Sequence, residues 1–162
     1  MHITNYLINN SFKYPNKISY VYQDQTITNR ELYENVKNIS FNLIKNGVKK
    51  GDTIALILRN SIYYPQIFLA AAYLDLNIAP LNPLLSKNDI IVQLNKLNIK
   101  TLFSWSDYLK TINFKKLNLT KKNCYDINSK SNIFQNFNDL IQNTNKKFYY
   151  KTQSIIKCII IN

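Results

Sequence analysis

Hydrophobic positions recur along the chain at two spacings that alternate with each other. Ile3, Leu7 and Ile8 fall near the helical period of 3.6, and the short helix they predict must end before Pro15. Ile18–Tyr22 is rich in β-forming residues, and Asp24-Gln25 offers a turn back into Thr26-Ile27. Thr28 followed by Glu31 predicts a capping box, in which the hydroxyl accepts from the third helical N–H and the carboxylate reaches back. Leu32, Val36, Ile39 and Leu43 then continue at helical spacing, and Gly47 can close that helix in a left-handed conformation.

Gly51-Asp52 predicts a turn, and residues 53–58 read as a strand with little alternation, the pattern of a strand covered on both faces. Asn60 or Ser61 can cap a helix running to about Leu74. A short strand over 77–81 ends in Pro80 and Pro83; Ser86 with Asp89 opens a helix to about Leu97, and 101–103 is the next strand. Beyond Trp105 the pattern loosens. Asn and Lys dominate 110–130, a strand is expected over 124–127, and Ile133, Phe137, Leu140 and Ile141 suggest one more helix. Residues 154–161 are almost unbroken apolar residues, as in a buried strand. Strands alternating with helices of this length predict an α/β fold with βαβ crossovers and a mainly parallel sheet.

Composition changes this picture little. The 162 residues suit one domain, and 46% apolar with 13% aromatic residues supply a core. A net charge of +12 suggests polyanions. Asn, Ile and Lys, however, make up about two-fifths of the chain, with Arg30 and Arg59 its two arginines. All three have AT-rich codons, so genomic drift accounts for the charge and no nucleic-acid partner is expected. A basic module for nucleic acid or anionic surfaces is the rival reading, resting on Lys115-Lys116, Lys121-Lys122 and the Lys- and Tyr-rich residues 146–151. No stretch reaches the length of a membrane span, and no leader is visible after Met1, so a cytoplasmic location is expected.

Candidate chemistry is sparse. Two glycines, Gly47 and Gly51, cannot spell either G-x-G-x-x-G or G-x-x-x-x-G-K-[ST]. His2 stands on a terminus, and Cys124 and Cys158 are far apart, which leaves neither a nucleophilic triad nor a zinc site. Glu31 is committed to its cap with Glu34 one turn on, and Asp75 and Asp89 have no acidic neighbour. No catalytic, cofactor-binding or metal-ligating residue is therefore assigned.

The order of motifs nonetheless resembles the N-terminal region of the adenylate-forming superfamily, the AMP-dependent synthetases and ligases that include acyl-CoA synthetases. The resemblance runs through Ile27-Thr28-Asn29-Arg30-Glu31-Leu32, the turn Gly47-Val48-Lys49-Lys50-Gly51-Asp52 and the Asn60-Ser61 pair. It continues through Leu69-Ala70-Ala71-Ala72 and Pro80-Leu81-Asn82-Pro83 to a segment over 94–103. The family usually has Gly where this chain has Asp75, a residue that tolerates a left-handed backbone better than most.

The resemblance implies an incomplete part of that family's large N-terminal domain, spanning 1–162. Residues 1–50 would be a first strand–helix segment whose full sheet needs later sequence, and 53–162 most of one α/β subdomain. It implies a ligase that, at full length, uses ATP, Mg²⁺ and CoA to convert a carboxylic acid, such as a fatty acid, to its thioester. The phosphates of ATP are held in that family by a loop like S-G-T-T-G-x-P-K-G. The apolar run over 154–161 resembles the strand before that loop, so this chain alone is expected to bind no cofactor and to be inactive. A second chain carrying the remainder is the expected partner if the enzyme is split.

Overall fold

The computed structural model describes residues 3–142 and the backbone of a two-residue strand at 157–158. Helix α1 (Ile3–Lys13) leads into an antiparallel hairpin, β1 (Ile18–Tyr22) and β2 (Gln25–Thr28). The hairpin turns at Gln23-Asp24, one residue earlier than expected, because Gln23 takes the left-handed conformation (φ 52°) that the tight turn demands. Helix α2 (Asn29–Lys45) starts on the predicted capping box. The Glu31 N–H donates to Thr28 Oγ1 at 3.2 Å, and the Thr28 N–H donates to Glu31 Oε2 at 2.8 Å. These bonds hold the exposed Glu31 carboxyl below its ordinary pKa. Replacing Thr28 with Ala removes both the hydroxyl and the reciprocal geometry. The expected loss is about 1 kcal/mol, read as a lower urea midpoint at unchanged slope.

Gly47 (φ 88°) and Gly51 (φ 83°) bracket the turn into β3 (Thr53–Leu56). Both lie in the left-handed region with open space around the position a Cβ would take, so backbone conformation rather than crowding explains the choice of glycine. Asp75 keeps the left-handed turn expected of it (φ 56°). Its carboxylate, 2% exposed, pairs with Lys50 Nζ at 3.0 Å, and its carbonyl accepts the Gly51 N–H at 3.1 Å. The starts of β3 and β4 are thereby tied together.

Next come α3 (Tyr64–Tyr73), β4 (Asn77–Pro80), α4 (Lys87–Lys96), β5 (Thr101–Ser104) and α5 (Ser106–Lys110). Helix α4 is capped as predicted, with Ser86 Oγ accepting the Asp89 N–H at 3.1 Å. Helix α3 starts later than Asn60 or Ser61. Residues 61–63 form a turn instead, whose Ser61 hydroxyl and carbonyl both face the Tyr64 N–H at 3.3 Å, and Pro65 fills the first helical turn, where its missing N–H costs nothing.

After two short 3₁₀ turns, Phe114–Lys116 and Lys121–Asn123, come β6 (Cys124–Asp126), β7 (Gln135–Asn136), α6 (Asn138–Ile141) and β8 (Lys157–Cys158). The helix expected from Ile133 to Ile141 is thus a strand followed by one helical turn. Asn136 Oδ1 accepts the Asn138 N–H at 2.8 Å and so starts the turn only there. Of the apolar run at 154–161, only β8 lies within the described residues.

Six strands form one sheet in the order β7-β6-β5-β3-β4-β8, every pair parallel. The α/β expectation holds. Side chains alternate between the sheet's faces, as strand pleat requires. Ile54, Leu56, Ile78, Phe103 and Tyr125 join the apolar stripe of α2, Ile67, Ala70 and Ala71 of α3 and its C-cap Leu74 in one core. Ala55, Ile57, Ala79, Leu102 and Cys124 join Ile90, Ile91 and Leu94 of α4 and Leu109 of α5 in the other. Burial pushes the Cys124 thiol up to about 12, which leaves it an inert core group.

The first core draws on residues from Leu7 to Leu140. Outward from it, α1 and the hairpin expose Tyr6, Phe12 (72% exposed), Ile18 and Val21. No described helix is long and apolar enough to cross a membrane.

Candidate functional site

Chain order fixes where a site can form. From β3 the chain crosses through α3 to β4 on one side, then through α4 back past β3 to β5 on the other. The loops leaving β3 and β5 therefore diverge, and a crevice opens at the carboxyl ends of these strands, the usual binding place in open parallel sheets. Here it measures about 350 Å³. Arg59, Asn60 and Ser61 come from the end of β3, Trp105 from the end of β5 and Asn128 from the end of β6, with Gln25 of the hairpin opposite.

Arg59 lies with its guanidinium carbon 5.5 Å from the centre of the Trp105 ring and makes no ion pair among the described residues. Trp105 packs edge-on against Tyr108 at 5.3 Å, and the ammonium of Lys87 stands 3.4 Å over the other ring of that pair. Burial pushes the Tyr108 hydroxyl up, and its oxygen has no hydrogen-bond partner among the described residues. Desolvation lowers the Lys87 ammonium.

The wall is held by a carboxylate that sequence reasoning missed. Asp126, fully buried at the end of β6, accepts the Ser106 N–H at 2.9 Å and the Asn128 N–H at 3.0 Å on Oδ1, and the Lys130 N–H at 2.9 Å on Oδ2. One side chain thus joins the loop bearing Trp105 to the loop bearing Asn128. A second hollow, about 480 Å³, lies between the hairpin, α2 and α3. Two of its polar side chains are tied up, since Asn35 donates to Gln66 Oε1 at 3.2 Å and Gln66 donates to Tyr20 Oη and to the Ile62 carbonyl, while Glu31, also in its lining, serves the α2 cap. Tyr20 also donates to that carbonyl, and burial raises its phenol.

What the crevice can do is limited by its chemistry. Among the described residues it presents one cation on an indole and several amides, groups that orient an anion or a planar ring, with no nucleophile paired to a base. The described residues of the crevice do not fit the triphosphate of ATP. A phosphate cradle needs convergent backbone N–H groups where glycine allows close approach, and both glycines sit before β3, at the opposite edge of the sheet. Nor do His, Cys, Asp or Glu side chains gather in threes among the described residues, as a metal centre would require.

Of the residues weighed from sequence, Glu31 is half of its cap and Glu34 pairs with Lys37 at 2.8 Å on the exposed face of α2. Asp75 belongs to the turn and Asp89 to the α4 cap. None of them reaches the crevice lining. His2 and the Cys158 side chain lie outside the described residues.

The profile of AMP-binding enzymes matches residues 9–149, most of the chain. The chain belongs to the AMP-binding enzyme family. It is similar to the 2-succinylbenzoate–CoA ligase of Bacillus subtilis (strain 168), 30% identical over 106 residues that make up 65% of this chain and 22% of that one. The chain spans about a fifth of the length of the curated relatives it matches.

Among solved structures, the luciferase-like enzyme of the mealworm Zophobas morio superposes with a TM-score of 0.82 at 21% identity. The match covers 96% of this chain and 38% of that one. The O-succinylbenzoate coenzyme A synthetase of Bacillus subtilis, in complex with ATP and magnesium ion, superposes with a TM-score of 0.68 at 23% identity. It covers 88% of this chain and 35% of that one. At such identities the structures establish the fold that this family member shares with part of much longer enzymes.

Proposed function

We propose that these residues are the N-terminal scaffold of an AMP-forming acid–thiol ligase and do not themselves form an acyl-adenylate. The whole enzyme would join a carboxylic acid to CoA with ATP and Mg²⁺ in the cytoplasm, a fatty acid being one substrate class. The relatives' names support an acid–CoA ligase rather than another adenylating enzyme.

The observation carrying the second half of the reading is the placement of Gly47 and Gly51 at the amino edge of the sheet. Among the described residues, neither glycine is then available at the carboxyl edge, where the crevice lies, to form a backbone nest for phosphate. The scaffold's part is to hold a rigid parallel sheet whose carboxyl edge, including the end of β8, faces the machinery supplied by further sequence.

Purified chain, given ATP, Mg²⁺ and a panel of aliphatic and aromatic acids, should release no AMP. Acid-dependent AMP release by this chain alone sinks the proposal. In the split-enzyme variant, adding a second chain that carries a Ser/Thr/Gly-rich loop restores the reaction.

A further inference from the structure

The parallel topology gathers lysines at the edge of the sheet opposite the crevice. Every strand of the six begins there, and α2 and α4 end there to feed β3 and β5. Lys45 and Lys96 close those two helices, where an ammonium also complements the helix dipole. Lys49 and Lys50 precede β3, Lys100 precedes β5, and Lys121 and Lys122 precede β6. Lys115 and Lys116 are drawn to the same corner, since Asn95 of α4 donates to the Lys116 carbonyl at 2.7 Å and accepts the Asn118 N–H at 3.1 Å. All these side chains are exposed.

Against them stand Asp52, Asp75 and Asp139, the last sharing a hollow with Lys45. Asp75 is spent on Lys50, and Asp52 accepts the Lys49 backbone N–H at 2.8 Å. The remaining lysines make no ion pair among the described residues, and the sequence after Asp139 contains no acidic residue to neutralise them. Elsewhere the charges are mixed: Glu34 with Lys37, Asp107 with Lys110, and Asp89 beside Lys87. The asymmetry is a property of the fold as well as of composition.

We propose that this amino edge is a docking surface for an anionic lipid bilayer. A row of exposed ammoniums along this edge, with a hollow of about 260 Å³ beside Lys49 and Lys100, matches an extended, diffuse negative surface, which attracts clustered lysines additively. Nucleic acid is the poorer fit. Among the described residues the edge offers no exposed stacking platform: Phe114 is half-buried with the Lys121 ammonium 5.9 Å from its ring centre, and Arg is absent from all these positions. Docking there leaves the carboxyl edge turned away from the membrane, open to the rest of a longer enzyme.

The test is co-sedimentation of the full chain with phosphatidylcholine vesicles prepared with and without phosphatidylserine. Binding is expected only to the anionic vesicles, and it should disappear at about 0.5 M salt, where the screening length falls to a few ångströms. Each lysine at the surface contributes about fivefold, so K115Q/K116Q/K121Q/K122Q should weaken binding by about 100-fold or more. A control with the same charge change away from the edge, K17Q/K37Q/K110Q/K130Q, should lose far less. All eight positions are at the surface, so circular dichroism should find both variants folded like the parent. No binding to anionic vesicles at low salt overturns the proposal, as do equal losses in the two variants. Binding of a single-stranded oligonucleotide in place of vesicles would assign the edge to nucleic acid and overturn it too.

Discussion

Asp126→Ala should be the most damaging single substitution at the carboxyl edge. It strips the acceptor from three backbone N–H groups: that of Ser106 in a buried bond, and those of Asn128 and Lys130 in partly buried ones. Leaving a buried donor such as the Ser106 N–H unsatisfied costs about 1–3 kcal/mol and the two partly buried donors cost less, so a loss of about 3 kcal/mol is expected. For a chain of this size that lowers the melting temperature by roughly 10 °C.

Asp126→Asn should fall between, because its carbonyl oxygen can still serve Ser106 and Asn128 while its amide faces the Lys130 N–H. Thermal unfolding by circular dichroism reads the series. An Ala variant melting within about 2 °C of the parent would mean that water or a rearranged loop replaces the carboxylate. Trp105 fluorescence adds an independent readout, since the indole starts the helix that Asp126 anchors through Ser106.

Phe137→Ala is the second large effect. The ring is fully buried, edge-on to Tyr63 at 5.2 Å and to Phe103 at 6.2 Å, and Phe103 stacks on Tyr125 at 5.1 Å. It pins the last described segment to the sheet and to the start of α3. Asn38 and Asn42 of α2 hold the same segment by donating to the Ile141 and Leu140 carbonyls at 3.0 Å. Truncating a buried Phe costs about 3–5 kcal/mol. In a protein of ordinary marginal stability that populates the unfolded state measurably at body temperature. A urea midpoint close to that of the parent would show that residues 133–141 are not part of the cooperative core.

These two residues mark where the sequence is hard to read. Elements with local signatures are legible: Thr28 with Glu31 and Ser86 with Asp89 announce α2 and α4 because cap and partner are three residues apart. The parallel sheet is legible from apolar strands alternating with helices. Asp126 is not, since it is one acid in a run of Asn and Lys, and its first partner, Ser106, lies 20 residues back on another loop. The local trace it leaves is an Asp followed by Asn two residues on, the spacing of a side chain that accepts from its own loop.

Residues 133–141 mislead for a related reason. Burial of Phe134, Phe137 and Leu140 has a spacing of three, which suits a helix, yet Phe134 packs in one core and the other two in the opposite one. A strand and a single turn satisfy that division, and a helix does not. Helix α5, five residues long, is too short to show any period. The crevice was illegible because its walls come from loops after three different strands, which only the order of the sheet brings together.

Calorimetric titration of the purified chain with ATP and Mg²⁺ tests directly whether these residues lack a nucleotide site. The account predicts no heat beyond dilution, and the same when a carboxylic acid is added. Saturable, Mg²⁺-dependent binding, lost on mutation of Arg59 or Asn128 at the crevice, would contradict it.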